Sequence, residues 1–351
     1  MKINQNLTII IPFFNSVKYI EKSIKLLTNQ TNLNYKVIFI DDCSNDNSYD
    51  LCKSLIRENK NFSILKNSNH KGVGFARALG LQTCKTEYVT FFDIDDIYTP
   101  TAIQTILNEI ELLPDTDIFV YNHSFLDMNI NNSEITFSSN TDNYNELFDT
   151  NSPLICHLWN KVFKTSLLKN LDYNFLSQIT FSEDLFICIY AFLNTNKISI
   201  VNDSYYTYVK NSNSCVTSRS ERSFFDNVAV NQKLLELVKD KSNPAIEAYI
   251  KRDSYNSFGQ FIFPNKKNNF QWKQPHFNEF RKFQIHENLI PEKTFFIYKL
   301  YISLINQKQD KSALLIWYLL KLKEMVKNYK RQKSKKKKKI VRNFFKNKKS
   351  F

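Results

Sequence analysis

Residues 88–96 read Tyr88-Val89-Thr90-Phe91-Phe92-Asp93-Ile94-Asp95-Asp96. An apolar strand, Tyr88 to Phe92, runs straight into three carboxylates. Clustered acids repel one another and raise each other's pKa unless a cation lies between them. The simplest occupant is a divalent metal holding an anionic substrate such as a nucleoside diphosphate.

Upstream, the same alternation repeats. Leu7-Thr8-Ile9-Ile10-Ile11 is a β-branched run that Pro12 is expected to stop. Residues 17–28 carry apolar positions at helical spacing, with Asn15 or Ser16 as N-cap. Tyr35 to Ile40 is a second strand, ending at Asp41-Asp42. Residues 48–57 read as a helix, 62–66 as a short strand and 75–83 as a helix. Continuous apolar strands alternating with amphipathic helices predict an α/β fold with a mostly parallel sheet flanked by helices. Such sheets bind ligands at the carboxyl ends of their strands. Asn15, Asp41 with Asp42, and Asp93 with Asp95 all fall there, which predicts one site built from distant segments.

Downstream, residues 117–122 read as another strand and 129–145 as an Asn/Ser/Thr-rich loop. Residues 184–193 form a strongly apolar helix, with Ser182 as its expected N-cap. Helical patterns then dominate, over 224–239, 245–258, 294–306 and 312–329. The implied domains are 1–220 for the ligand-binding and catalytic part, 221–320 for a helical C-terminal region, and 321–351 for a basic tail.

The chain of 351 residues has only four glycines, and Gly72, Gly74 and Gly80 lie close together. Such a cluster marks unusual dihedrals or close approach. Residues 321–351 hold fifteen Lys or Arg against one acid, Glu324, which accounts for the whole net charge of +14. The remainder is neutral, so nucleic-acid binding by the body of the protein is not expected. The six cysteines form no CxxC pair, which disfavours zinc ribbons and thioredoxin chemistry. Neither a signal sequence nor a spanning helix is expected.

A DxD alone is weak, but this one ends a strand and joins other strand-end acids. A haloacid dehalogenase-type phosphatase would need Thr or Val at position 97, which is Ile. A metal-dependent phosphotransferase using Asp93 and Asp95, or a degenerate nucleotide-sugar binder, are the rival readings. The Gly72-Val73-Gly74 segment lacks the third glycine of a dinucleotide loop and the GK(S/T) of a P-loop. Arg77 there can reach a phosphate or lock an acid at the site. Glu183-Asp184 opens its helix as a favourable first-turn pair or as a general base. His157-Leu158-Trp159-Asn160-Lys161 and residues 205–214 suit packing or acceptor recognition. The lysine-rich tail beside Phe344-Phe345 suits an anionic membrane face, where each base adds about 1 kcal/mol.

Together these motifs resemble family 2 glycosyltransferases, inverting enzymes of GT-A fold. The matching order is Ile9 to Asn15, Ile40 to Asp46, Gly72 to Arg77, Phe92 to Asp96, then Glu183-Asp184, within residues 5–215. The resemblance implies that Pro12 and Asn15 lie in the loop around the nucleotide base. It implies that Asp41 or Asp42 binds uracil or ribose and that Arg77 supports the nucleotide and diphosphate. Asp93 would reach ribose or metal, Asp95 would ligate Mn²⁺ or Mg²⁺, and Asp184 would be the catalytic base. Glu183, Trp159, Lys161 and Lys210 are the weaker candidates for the acceptor side. Cys43, Leu79 and Ile94 depart from the usual pattern and leave donor selectivity open. The expected activity is transfer of a hexosyl or N-acetylhexosaminyl group from a UDP-sugar to a glycan or lipid-linked hydroxyl. Bacterial capsule, lipooligosaccharide or another surface polysaccharide is the expected product, made at the inner face of the cytoplasmic membrane.

Overall fold

The computed structural model describes residues 6–127, 133–137, 143–150, 152, 154–210, 221–262, 303, 307 and 308. Residues 1–250 form one compact unit and 251–351 a second. The helical patterns at 294–306 and 312–329 lie almost wholly outside the described residues, as does the tail from 321.

In chain order the elements are β1 (Leu7–Phe13), α1 (Val17–Thr28), β2 (Lys36–Asp41), α2 (Ser48–Ile56), β3 (Phe62–Lys66) and α3 (Val73–Thr83). There follow β4 (Tyr88–Phe91), β5 (Ile97–Tyr98), α4 (Ala102–Leu112), β6 (Ile118–Asp127), β7 (Ser133–Phe137) and α5 (Tyr144–Thr150). The last are β8 (Lys161–Lys164), α6 (Tyr173–Leu176), α7 (Glu183–Leu193), β9 (Ile198–Lys210), α8 (Glu221–Lys241) and α9 (Pro244–Ile262). The strands join in one sheet of order β3-β2-β1-β4-β8-β6-β9-β5, with β7 on β6.

β3, β2, β1 and β4 run parallel. All seven residues of β1 are buried, because helices cover both faces of this part of the sheet. β8 then joins β4 antiparallel. β1 is where the strand order reverses: β2 and β3 lie on one side and β4 on the other. That is the switch point at which open α/β sheets form their crevice.

Two expectations need correction. β1 continues through Pro12, which pairs with Ile40, to Phe13. Ile10 O accepts from Phe92 N toward β4, and Phe13 O accepts from Asp42 N toward β2. Alternate residues therefore face opposite neighbours, and Pro12 faces the β4 side beyond its last paired residue. The missing N–H costs no ladder bond there. Pro12 is thus a buried strand residue rather than part of a loop. The segment 129–145 contains β7 and the start of α5 rather than loop alone. Among the described residues no helix is long and apolar enough to cross a membrane.

Three glycines explain how α3 reaches its place. Gly72 has φ +93°, in the left-handed region. A Cβ on Gly74 would lie 3.1 Å from Glu183 Cβ, and one on Gly80 would lie 2.5 Å from Ile10 Cγ2. The last is a buried branched side chain on a central strand and cannot step aside. Gly80→Ala is therefore expected to destabilise the protein by about 1–3 kcal/mol despite alanine's better helix propensity. Denaturant unfolding checks this; an unchanged or higher midpoint would contradict the packing.

Candidate active site

The ends of β1, β2 and β4 meet at the crevice. After β1, Asn15 sits at φ 48°. Its N–H donates to Ser44 Oγ at 2.9 Å, and its Oδ1 accepts from Asn45 N at 3.0 Å. The loops after β1 and β2 are thus stapled together. Cys43, at φ 65°, occupies a left-handed position in the second of these loops, which suits the glycine usual in the family better than a side chain.

Asp41 and Asp42 are both buried and take different partners. Asp41 accepts from Ser44 N at 3.1 Å and pairs with Lys66 at 3.8 Å. Asp42 accepts from Asn67 Nδ2 at 2.7 Å, Lys71 N at 3.1 Å and Gly72 N at 2.7 Å. His70 Nδ1 lies 2.8 Å from its Oδ2. Asp42 therefore pins the loop that leads into α3. The same loop holds His70 stacked on the exposed Phe14, with ring centroids 4.0 Å apart.

Arg77 is the hub. It is 6% exposed, and its two terminal nitrogens are engaged by carboxylates. Nη2 donates to Asp93 Oδ1 at 2.9 Å, and Nη1 donates to Glu183 Oε1. Of the two roles open to it from sequence, Arg77 locks acids; its charge is spent on them rather than offered to a ligand. Burial works against that charge, but Asp93, Glu183 and Asp184 outweigh it and hold Arg77 protonated. Glu183 is buried against Arg77 and so does not face an acceptor. Asp184, the next residue, is half-buried. Burial raises its pKa, with Arg77 pulling the other way.

The turn Asp93–Asp96 follows β4. Asp93 and Asp95 are half-buried, whereas Asp96 is 2% exposed. Tyr206 on β9 fixes the turn from below. Its hydroxyl accepts from Asp93 N at 2.9 Å and donates to Asp96 Oδ2 at 2.7 Å. Val209 N donates to Asp96 Oδ1 at 2.8 Å. Burial, then repulsion from Asp93 and Asp95, pushes the Asp96 pKa well above the usual carboxylate range. Sequence reasoning missed Asp96 and Tyr206. The aromatic alternation of Tyr205-Tyr206-Thr207-Tyr208 was the available strand signal.

Two of the acceptor candidates are packing residues. Lys161 is wholly buried. Its Nζ donates to Leu154 O at 2.5 Å, His157 O at 2.6 Å and Asn160 Oδ1 at 2.9 Å, so it ties down its own loop. Burial lowers its pKa. Trp159, 6% exposed, stacks on His157 at 4.6 Å and on Tyr206 at 4.8 Å. An ammonium capped by carbonyls and an indole inside a stack are not offered to a ligand. Lys210 ends β9, in register with Asp127.

Residues 8–172 match the family model for glycosyl transferase family 2. Over that segment, a little under half of the chain, the sequence is that of a family 2 glycosyltransferase domain. Similar proteins include the glycosyltransferase GlyG of Streptococcus pneumoniae, 28% identical over 117 residues, which is 33% of this chain and 38% of that protein. Poly(ribitol-phosphate) beta-N-acetylglucosaminyltransferase TarS of Staphylococcus aureus is 29% identical over 210 residues, 57% of this chain and 35% of that protein. The chain thus matches little more than a third of the length of these relatives. The crystal structure of S. aureus TarS 1-349 in complex with UDP-GlcNAc superposes with a TM-score of 0.66 at 20% identity, over 89% of this chain and 90% of that one. The likeness establishes the GT-A fold.

Tyr206→Phe removes the donor to a buried carboxylate and the acceptor for Asp93 N. It is expected to cost about 1–3 kcal/mol, read as a lower denaturation midpoint. Wild-type stability would show that the turn does not depend on the phenol.

Proposed function

We propose that the chain transfers a hexosyl or N-acetylhexosaminyl group from a UDP-sugar to a hydroxyl of a glycan or lipid-linked acceptor, inverting the anomeric carbon, in bacterial surface polysaccharide synthesis. The observation that carries the proposal is the Arg77 bridge, which brings the strand-end acids and the Glu183-Asp184 pair into one site. The family match over residues 8–172 supports it, as do relatives named for N-acetylglucosaminyl and glucosyl transfer to poly(ribitol phosphate). TarS structures with UDP-GlcNAc and with UDP support the donor class.

Asp184 takes the proton of the acceptor hydroxyl as its oxygen bonds to the anomeric carbon and the bond to the diphosphate oxygen breaks. One displacement with one base inverts the centre. Burial moves the Asp184 pKa upward, toward the range where a carboxylate is an effective base at neutral pH. Arg77 fixes Asp93 and Glu183, so the neighbouring Asp95 and Asp184 are carried on anchored backbone. The loops of Asn15, Asp41 and Asp42 shape the nucleotide end of the crevice.

Among the described residues, no group of three or more His, Cys, Asp or Glu is arranged to hold a metal ion unaided. One or two carboxylates do suit Mn²⁺ or Mg²⁺ when substrate phosphates and water complete its shell. Asp95, with Asp93, fits that requirement. A bound ion would offset the charge developing on the leaving diphosphate.

Incubation with a panel of UDP-sugars in Mn²⁺ is expected to release UDP. EDTA or Asp95→Ala abolishes metal-dependent UDP binding. Asp184→Asn slows turnover by about a hundredfold or more while UDP still binds. An Asp184→Asn protein of wild-type rate would defeat the assignment. We also place the basic tail on an anionic leaflet at the inner face of the cytoplasmic membrane. Removing residues 321–351 is expected to release the protein from phosphatidylglycerol vesicles in a flotation assay; equal binding would remove the tail's role.

A further inference from the structure

The family match ends at residue 172, yet the proposed base lies beyond it on α7. The backbone leading into that helix is unusual. Ser182, its N-cap, has φ 64° and makes no capping hydrogen bond with its side chain. An N-cap normally has extended dihedrals and gives its hydroxyl oxygen to the helix. Something other than the helix must therefore hold this turn.

That support comes from α8. Asp226 Oδ2 accepts from Thr180 N and Thr180 Oγ1, each at 2.8 Å. Asn227 Nδ2 donates to Ser182 Oγ at 3.0 Å. Asn231 Nδ2, one turn further on, donates to Asn227 Oδ1 at 3.0 Å and fixes its amide. Arg222 Nη2 reaches Gln178 O at 3.4 Å. Residues 222 and 226 lie one turn apart on the helix, 227 follows directly, and the three grip alternate residues 178, 180 and 182 of the approaching chain. Asp226, Asn227 and Asn231 are buried, where hydrogen bonds between side chains are strong and selective for one geometry. The segment also meets Gly72 at the entry to α3. A Cβ on Gly72 would lie 3.2 Å from Thr180 Cγ2.

We infer that Asp226 and Asn227 are positioning residues for Asp184: α8 holds the 178–184 segment in the left-handed turn that aims this carboxylate into the crevice. The inference rests on Asp184 being the base of the proposed transfer. Neither residue touches the strand-end acids in any hydrogen bond described above, so their loss acts on the proton-transfer half of the site.

The test is steady-state kinetics of UDP release by the full-length chain with a UDP-sugar that it turns over. Asn227→Leu and Asp226→Ala are each expected to lower kcat about ten- to a hundredfold, the scale of a small misplacement of a reacting group. KM for the donor and calorimetric UDP affinity stay within about twofold of wild type. Asp226→Asn keeps an oxygen for Thr180 and retains more activity than Asp226→Ala. In an Asp184→Asn background, Asn227→Leu adds no further loss, because the group it positions is gone. Wild-type kcat in both Asn227→Leu and Asp226→Ala overturns the inference. So does an equal fractional loss from Asn227→Leu in the presence and absence of Asp184. If Asn227→Leu fails to fold, as judged by circular dichroism, Asp226→Ala against Asp226→Asn decides the matter. An Asp184→Asn protein as fast as wild type would instead defeat the assignment of Asp184 as base, and no UDP release from any UDP-sugar would defeat the transferase reading itself.

Discussion

A buried guanidinium shared by two carboxylates organises this site. An unpaired charge in a protein interior is costly. The planar fork of arginine can serve two acids at once in fixed directions. Arg77 uses it to join the turn after β4 to the start of α7. Removing one member of such a set leaves a buried charge uncompensated, so the surroundings are shaped to keep all three. Gly74 has no side chain to push Glu183 away. Tyr206 holds the Asp93 backbone from β9.

The carboxylates divide their work within each cluster. Asp96 is buried under the turn while Asp95 stays half-buried. Glu183 is buried on Arg77 while Asp184 stays half-buried. In both cases a structural acid lies next to one that the crevice can use. Neighbouring side chains leave the backbone in different directions, so two adjacent acids can serve a scaffold and a ligand at once. Asp41 and Asp42 are both on the scaffold side, each accepting from backbone N–H groups of the loops they shape.

Much of this was legible in the sequence. Apolar runs and helical spacing mark β1 to β4 and α1 to α3 because a doubly covered parallel sheet has no polar face to blur the pattern. The strand-end acids follow from the same logic. What stayed hidden depends on partners distant in the chain. Pro12 reads as a terminator, yet the side of the ladder it faces has no strand to bond. Lys161 reads as an available cation, but two carbonyls and Asn160 cap it. Arg77 offered a phosphate or an acid, and only the fold brings Glu183, 106 residues away, within its reach. Asp96 stands beside two acids of identical type, and nothing local distinguishes the one that β9 buries.

That separation has a kinetic consequence. The contact between Arg77 and Glu183 closes a loop of 106 residues, and closing long loops must precede any reward from the contact. β4 ends at Phe91 and α7 begins at Glu183, so during synthesis the strands that form the crevice are made before the acid pair of α7. Until then Arg77 has Asp93 alone. A chain still emerging from the ribosome can therefore shape the nucleotide end of its cleft well before it has a base to work with.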